Sequence, residues 1–334
     1  SGSGNGWLGV GWDISIPSIT VETRWGVPRY DTIYESEVYV YEGEQLVTKD
    51  ESGTFRLMPH RTNQWISRTT LGNKEQFYPR RNEAFDSIVR HGSGPSEYWW
   101  SVTHRNGVTD YYGKRHGTAT VNHSSVLCDP SNHNIAQWML TESVDPSGNW
   151  VRYYYSTESR KSVTGTSINY GTQVYLDSIV YTGHDSLSGK YSVRFNRHNT
   201  PRCDIITNGR YGFREVTAVT LCNVEVLYRD TILRRYYFVT ENNRESNFKT
   251  RLTDIVRMDP PILSIPCDSI FNAQYWVVAD SEDVEGSFGK FDLLRYNFSY
   301  FDYPDSNSLF SNTVNVNLND DYIRSTFDDY EHES

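Results

Sequence analysis

The sequence predicts an all-β protein built from long, twisted antiparallel hairpins. Three observations support this class. Apolar and polar side chains alternate with period two through much of the chain, turn-forming pairs interrupt the alternation, and the 334 residues include 25 tyrosines and 9 tryptophans. We find no stretch with three turns of amphipathic helix. A chain of this length can bury one large core or two moderate ones.

The first predicted hairpins are recognised by their turns. Residues 37–47 (EVYVYEGEQLV) predict two strands joined at a Glu-Gly turn. Residues 97–113 predict a hairpin that turns at Asn106 and Gly107, because both residue types accept a positive φ.

A further hairpin is predicted over residues 139–155, with its turn at the Asp-Pro-Ser-Gly-Asn sequence of 145–149. The preceding residues 133–142 (HNIAQWMLTE) also have helical periodicity, but we interpret them as the entry into a strand. Together these hairpins predict an antiparallel sheet in the first half of the chain.

The second half continues the pattern. Residues 173–197 predict two strands around a polar loop, and residues 215–240 predict two or three strands with a turn near 229–231. Residues 290–304 are another strand candidate, whereas residues 258–267 (MDPPILSIPC) predict a loop.

We expect residues 1–334 to form a single β domain. A subdivision is allowed by the polar, aperiodic stretch 156–171, and the acidic residues 319–334 predict a tail or linker. The chain has no initiator methionine and begins inside a motif. We therefore expect it to be part of a longer polypeptide whose export signal is not visible here.

Composition excludes several classes of function. The formal net charge is −10, from 42 acidic and 32 basic residues, which disfavours nucleic-acid binding because phosphate contacts require clustered Lys and Arg. No apolar run reaches the length of about 18 residues that a membrane span requires. The four cysteines are Cys128, Cys203, Cys222 and Cys267. We interpret them as buried thiols, with one or two disulfides as the alternative if the protein is exported.

The opening glycines have the spacing of a dinucleotide-binding loop, Gly4-x-Gly6-x-x-Gly9. Such a loop requires a strand before it and a helix after it, and the following sequence is strand-like and broken by a proline. We therefore expect no nucleotide cofactor. These glycines are better explained as tight turns around Trp7 and Trp12, which can be buried against a sheet.

The sequence evidence for metal-binding or catalytic residues is weak. His116, His123 and His133 share one stretch with Cys128, but no pair has the i, i+4 spacing of a helical zinc site. No G-x-S-x-G elbow and no single pair of carboxylates stands out. We therefore assign no catalytic, cofactor-binding or metal-binding residue.

Two alternative functions remain open from the residues. Exposed aromatic side chains such as Trp99 or Trp100 could stack sugars in a carbohydrate- or cell-surface-binding module, although cross-strand pairing is the favoured explanation for the aromatic residues. The Glu331-x-Glu333 sequence also occurs in ADP-ribosyltransferases, where it requires an upstream Arg and an S-T-S strand. We find no S-T-S triplet, so a chance occurrence in an acidic tail is favoured.

Several of these segments resemble one family. Residues 1–20 (SGSGNGWLGVGWDISIPSIT) and 26–31 (GVPRYD) resemble the amino-terminal signature of the SpvB domain, which occurs in SpvB virulence proteins and in the B component of insecticidal toxin complexes (Tc toxins). Residues 132–155 resemble a second block, which is also similar to YD (Rhs) repeats, and residues 250–259 a third. Residues 267–303 depart from the pattern.

The residues that carry the first two blocks are predicted to have structural roles. They are Gly4, Asn5, Gly6, Gly9, Gly11, Trp12, Pro17, Pro28, Arg29, Tyr30, Asp31, Trp138, Asp145, Pro146, Gly148, Asn149, Tyr153 and Tyr155.

The resemblance implies a function without catalysis. In Tc toxins, SpvB and Rhs/YD segments build a hollow β shell that encloses a toxic carboxy-terminal domain, and an inserted β-propeller docks onto a pore-forming component. In SpvB proteins, ADP-ribosyltransferase activity lies in a separate carboxy-terminal domain. The resemblance therefore implies a secreted structural domain that acts in virulence, needs no cofactor, and has as partners the other shell segments and a pore-forming component. A toxic cargo would act in the target cell.

Overall fold

In a computed structural model, the chain is described over residues 3–56, 65–81, 86–163, 166–242, 249–259, 267 and 292–298. These residues confirm the predicted all-β class. The strands are β1 (Ser3–Gly6), β2 (Gly9–Gly11), β3 (Ser18–Val21), β4 (Tyr34–Glu35), β5 (Tyr39–Tyr41), β6 (Glu44–Val47), β7 (Ile66–Ser67), β8 (Lys74–Pro79), β9 (Ser87–His91), β10 (Trp99–Thr103), β11 (Thr109–Tyr112), β12 (Val126–Cys128), β13 (Ile135–Val144), β14 (Asn149–Val163), β15 (Thr166–His184), β16 (Tyr191–Arg197), β17 (Ile206–Asn208), β18 (Glu215–Thr217), β19 (Leu221–Tyr228), β20 (Thr231–Asn242), β21 (Thr250–Asp259) and β22 (Asp292–Asn297).

Helices in the described residues include α1 (Arg68–Leu71) and a 3-10 turn (His123–Ser125). Neither has the length and apolar character that a membrane-crossing helix requires.

The first half of the chain closes a ring of antiparallel strands. The order is β3, β5, β6, β8, β9, β10, β11, β13 and back to β3. Its interior is filled by large side chains, including Trp100 and Trp138, both 0% exposed. The expectation that Trp100 is exposed is therefore wrong, because its position in β10 faces the core.

A second sheet continues from β13 through β14, β15, β16, β19, β20, β21 and β22, with each neighbouring pair antiparallel. Its longest hairpin is β14–β15, with strands of 15 and 19 residues. The described residues of 156–171, where the sequence allowed a subdivision, belong to these two strands. A second core packs here against the amino-terminal β1–β2 hairpin and contains Trp7, Tyr155 and Tyr175.

The turns explain where the hairpins begin and end. The Glu42-Gly43 turn has positive φ at both residues, which matches the twist of the flanking strands. At the Asn106-Gly107 turn only Gly107 has a positive φ, 85°. The predicted hairpin is confirmed by the antiparallel pairing of β10 with β11, and its loop closes over five residues, with the His104 N–H donating to the Val108 carbonyl at 2.8 Å.

The later predictions are confirmed where they can be compared. The predicted turn at 229–231 joins β19 to β20, and β22 occupies residues 292–297 of the strand predicted over 290–304. Of the loop predicted over 258–267, Met258 and Asp259 instead belong to β21, and residues 260–266 lie outside the described residues. Residues 319–334 lie outside the described residues.

The cysteines differ from the expectation of buried thiols. Cys222 and Cys267 form a disulfide, which joins β19 to a residue 45 positions later. Cys203 is an exposed thiol and Cys128 a half-buried one. The disulfide was left open by the sequence because pairing depends on which strands are neighbours.

The sequence did not reveal a set of charged side chains buried in the ring. Arg90, 1% exposed, donates to the Glu35 carboxylate and to the Tyr39 hydroxyl at 3.2 Å. Arg68 donates to the Glu37 carboxylate at 2.6 Å and lies 3.5 Å from Glu35. Each buried charge therefore has a partner of opposite sign, as burial requires.

Arg90→Met is expected to lower the free energy of unfolding by about 3 kcal/mol, because the buried Glu35 carboxylate keeps the hydrogen bond from the Tyr39 hydroxyl but has only the more distant Arg68 as a partner of opposite charge. Urea denaturation at neutral pH measures the loss. Arg24→Met is the control: Arg24 pairs with Glu22 at 2.5 Å but its side chain is 64% exposed, so a clearly smaller loss is expected. Equal losses in the two variants would contradict the assignment.

Candidate functional site

The amino-terminal signature forms an antiparallel hairpin, β1–β2, rather than a strand-loop-helix unit. Gly9 has a φ of 100°, and a Cβ placed there would lie 2.7 Å from the Thr250 carbonyl oxygen. A side chain is therefore excluded both by backbone conformation and by the closeness of β21. Trp7 is buried against Tyr175 at 5.4 Å between ring centroids, and Trp12 contacts Phe298 at 4.8 Å.

A single carboxylate ties this hairpin to distant parts of the chain. Asp204 accepts a hydrogen bond from the Asn5 amide at 2.7 Å, from Arg202 at 2.7 Å, and from the Thr250 backbone N–H at 2.7 Å. Arg202 also donates to the Gly6 carbonyl at 2.8 Å. Burial would raise the pKa of Asp204, but these hydrogen bonds outweigh it and lower the pKa to about 2.

The remaining first-block residues lie in the β1–β2 hairpin or in the segments on either side of β3, the first strand of the ring. The Pro17 carbonyl accepts from the Leu140 N–H at 3.0 Å, and Arg29 lies over the Trp65 ring at 4.7 Å. Asp31 accepts from the Ile33 and Tyr34 N–H groups. Gly4 is exposed, Gly11 ends β2 with a φ of 80°, Pro28 lies between β3 and β4, and Tyr30 is buried with a φ of 51°.

The second-block residues shape the hairpin between β13 and β14. The Asp145 carboxylate accepts from the Ser147 and Asn149 N–H groups at 2.9 and 2.8 Å, and Gly148 supplies the positive φ of the turn. The core-facing members hold the strands. Trp138 donates to the Tyr98 carbonyl, Tyr155 donates to the Leu140 carbonyl, Tyr153 packs against both cores, and Pro146 lies beside the turn at Gly107. These contacts are consistent with the structural roles predicted for the signature residues, which stay predictions.

A cavity of about 550 Å³ lies beneath the signature hairpin, between it and β15, β17 and β18. Its lining includes Asn5, Asp13, Arg210 and Glu215. Burial raises the pKa of Glu215 against the opposing effect of Arg210. Asn5 lines this cavity and also donates to Asp204, so the cavity borders the contacts that hold the β1–β2 hairpin in place.

The sugar-stacking candidate Trp99 lies in a row of side chains across neighbouring strands. His91 stacks on it at 3.8 Å with an interplanar angle of 8°, and the Lys114 ammonium lies 4.5 Å from its ring centroid. Burial, followed by the charges of Lys74 and Lys114, lowers the pKa of His91 to about 4, so this imidazole is neutral at pH 7. The contacts favour cross-strand pairing over an open stacking platform.

The histidine-rich stretch is arranged differently from the sequence expectation. The ring of His116 lies 5.4 Å from Tyr111. His123, Cys128 and His133 come together, with their nitrogen and sulfur ligand atoms within 4.8 Å of one another. Sequence reasoning missed this group because it searched for helical spacing, whereas a strand and a hairpin loop bring these residues together. Their equal spacing of five residues was the available signal.

The comparisons with known proteins agree with the signature. The family described as SpvB, Salmonella virulence plasmid 65kDa B protein, matches residues 1–222. The chain belongs to this family. All the signature residues of the first two blocks lie within the matched range, and the third block lies beyond it.

Curated relatives include the mono(ADP-ribosyl)transferase SpvB of Salmonella typhimurium strain 14028s and that of Salmonella choleraesuis strain SC-B67. Each is 30% identical over 169 residues, which is 49% of this chain and 27% of the relative. The chain therefore matches about a quarter of the length of these relatives.

Solved structures confirm the fold. The amino-terminal domain of the effector SpvB from Salmonella typhimurium strain LT2 has a TM-score of 0.61 at 20% identity, covering 76% of this chain and 90% of that one. A crystal structure of TcdB2-TccC3 has a TM-score of 0.59 at 20% identity, covering 77% of this chain but 14% of that one. The same fold thus occurs alone as a domain and within a much larger chain.

Asp204→Asn is expected to lower the free energy of unfolding by about 1–2 kcal/mol at pH 7. The folded-state pKa of about 2 lies below the ordinary 3.8. The contribution is therefore present above about pH 4 and lost as the pH falls towards 2. Urea denaturation at pH 7 and at pH 2.5 measures the difference, which should shrink at the lower pH.

The control is Asp230→Asn in the exposed β19–β20 turn, for which a change below about 0.5 kcal/mol is expected. A pH-independent loss in Asp204→Asn would contradict the role given to its charge.

Proposed function

We propose that this chain is a non-catalytic structural domain of a large secreted toxin-like protein, forming part of the wall of a β shell that encloses a toxic carboxy-terminal cargo. The observation that carries the proposal is the fit of 77% of this chain to 14% of the TcdB2-TccC3 chain. A fold that recurs as a small fraction of a larger chain suits a wall segment. Membership of a virulence-plasmid family supports the same class of protein.

The far edge of the second sheet supports a role in joining segments. Among the described strands, β22 pairs only with β21. Leu294 and Tyr296 lie on one face of β22 because they are two residues apart, and they are 41% and 51% exposed. An apolar strand face beside an open edge is suited to the next segment of a continuous sheet.

We assign any enzymatic activity to a part of the polypeptide outside this domain. The relatives named mono(ADP-ribosyl)transferase are matched over about a quarter of their length. The amino-terminal domain of SpvB is a structural neighbour of which this chain covers 90%. On this proposal, the partners of this chain are the remaining shell segments, including Rhs/YD repeats and a β-propeller, and a pore-forming toxin component.

The test uses the whole gene product that contains this chain. We expect the segment carboxy-terminal to the shell to resist trypsin in the native protein at least tenfold longer than after unfolding in urea, because the wall excludes the protease. Mass spectrometry of timed digests measures both half-lives. A gene product that ends soon after Ser334, or equal half-lives, would overturn the proposal.

Variants of the sheet edge sharpen the test. Leu294→Lys places a charge on the open face of β22 and should shorten the protected half-life several-fold. Tyr191→Lys is the matched control, since Tyr191 is 37% exposed but lies on β16 and is paired with Tyr181 of β15 and with Tyr228 of β19. The same loss in both variants would argue against the β22 edge as the joining surface.

The alternative functions are tested on the 334-residue chain. We expect no binding on a glycan array and no hydrolysis of NAD. Glycan binding that is lost in Trp99→Ala would support a carbohydrate-binding module instead. NAD hydrolysis that is abolished by Glu333→Ala would show that the fragment is an enzyme.

A further inference from the structure

Three potential metal ligands converge at the start of β13. His123 is the first residue of the 3-10 turn, Cys128 is the last residue of β12, and His133 lies in the loop that connects β12 to β13. Their ligand atoms are within 4.8 Å of one another, and the two imidazole centroids are 5.4 Å apart. His123 and His133 are exposed and Cys128 is half-buried, so a solvent ion can reach them.

Two irregularities of the backbone bring the ligands together. The β12–β13 pairing shifts register between Leu127 and Cys128, and a bulge of this kind redirects the side chain that follows it. His133 has a φ of 62°, a left-handed conformation that is uncommon outside glycine but in which Asn, Asp and His are enriched. This conformation turns the loop where the His133 ring lies 5.4 Å from the His123 ring.

The surrounding loop is held by its own hydrogen bonds. The His133 N–H donates to the Asp129 carbonyl at 2.9 Å, and the Asp129 N–H donates to the Asn134 carbonyl at 3.0 Å. The Asp129 carboxylate accepts from the Ser131 N–H and hydroxyl at 2.9 and 2.7 Å. The loop therefore keeps its shape without using the ring nitrogens of the two histidines.

The ligand types select the class of ion. One thiolate and two imidazoles suit zinc and its neighbours in the first transition series, whereas Ca²⁺ and Mg²⁺ require oxygen ligands. Zinc bonds of about 2.0–2.3 Å at tetrahedral angles place ligand atoms about 3.3–3.8 Å apart. The observed group must close by about 1 Å, which exposed side chains on a turn and a loop can do.

We propose that His123, Cys128 and His133 form a zinc site with a fourth position open to water. The Cys128 thiol releases its proton to solvent as the sulfur–zinc bond forms. The ion would join the 3-10 turn to the β12–β13 loop. It would also secure the neighbouring β14, whose Thr157 hydroxyl donates to the His123 carbonyl at 3.4 Å. The site is independent of the shell proposal, since it lies entirely within this chain.

The test begins with the full chain, stripped of metal by a chelator and kept in a reductant that is not a thiol. Titration with Co²⁺ should give one equivalent bound, with visible bands of a four-coordinate ion and a thiolate-to-cobalt charge-transfer band. Added Zn²⁺ should remove both signals, because it replaces Co²⁺ at such sites. A wild-type chain without the charge-transfer band would overturn the proposal.

Single substitutions assign the ligands. Cys128→Ser should abolish the charge-transfer band, and His133→Gly should weaken binding at least tenfold. Because glycine accepts the backbone conformation of residue 133, His133→Gly should fold without metal at least as stably as the wild type. Its loss of binding then cannot be explained by unfolding.

Matched controls use a thiol and an imidazole that do not belong to the cluster. Cys203→Ser removes an exposed thiol, and His116→Ala removes an exposed imidazole of the same stretch; both should bind as the wild type does. Zinc at a hundredfold its Kd should raise the unfolding midpoint of the wild type by about 4 °C, and that of Cys128→Ser by much less. Binding that survives in Cys128→Ser and His133→Gly would place the ion elsewhere and refute the site.

Discussion

Strand β13 is buried on both faces, and the rest of the structure depends on this double burial. Trp138 enters the core of the ring and is 0% exposed, while Met139, at 5%, enters the second core. The same strand pairs with β3, β11, β12 and β14. Because one strand is shared, the ring and the second sheet cannot be packed independently. Any change in its register would move apolar side chains out of both cores at once.

The amino-terminal signature is held in place by contacts with segments that come much later in the chain. Its glycines allow the β1–β2 hairpin to lie close to β21, and Asp204 connects Asn5 with Thr250 through hydrogen bonds of 2.7 Å. A carboxylate that accepts from a side-chain amide, a guanidinium and a backbone N–H fixes three segments with one charge. These contacts link the start of the domain to its later strands.

Polar and charged groups inside the domain serve the fold. Arg90 and Glu35 neutralise each other within the ring, and Trp99 is engaged by His91 across the strands. The two proposals concern the apolar face of β22 and the cluster of His123, Cys128 and His133. Both are suited to holding elements of structure together, so the two proposals describe one kind of role at two places.

The sequence by itself determined the strand class, most turns and the family, because side-chain alternation and turn residues are local properties and the signature is contiguous. It described residues 133–142 less clearly, since burial on both faces of β13 removes the alternation that marks a strand. Only the tertiary structure decided the closed ring, the buried Arg90, the Cys222–Cys267 disulfide and the histidine–cysteine cluster. The first three depend on strand order and register, which bring together residues distant in the chain and which no local pattern encodes. The cluster lies within eleven residues of sequence, but it depends on the register shift at Cys128 and on the left-handed backbone of His133.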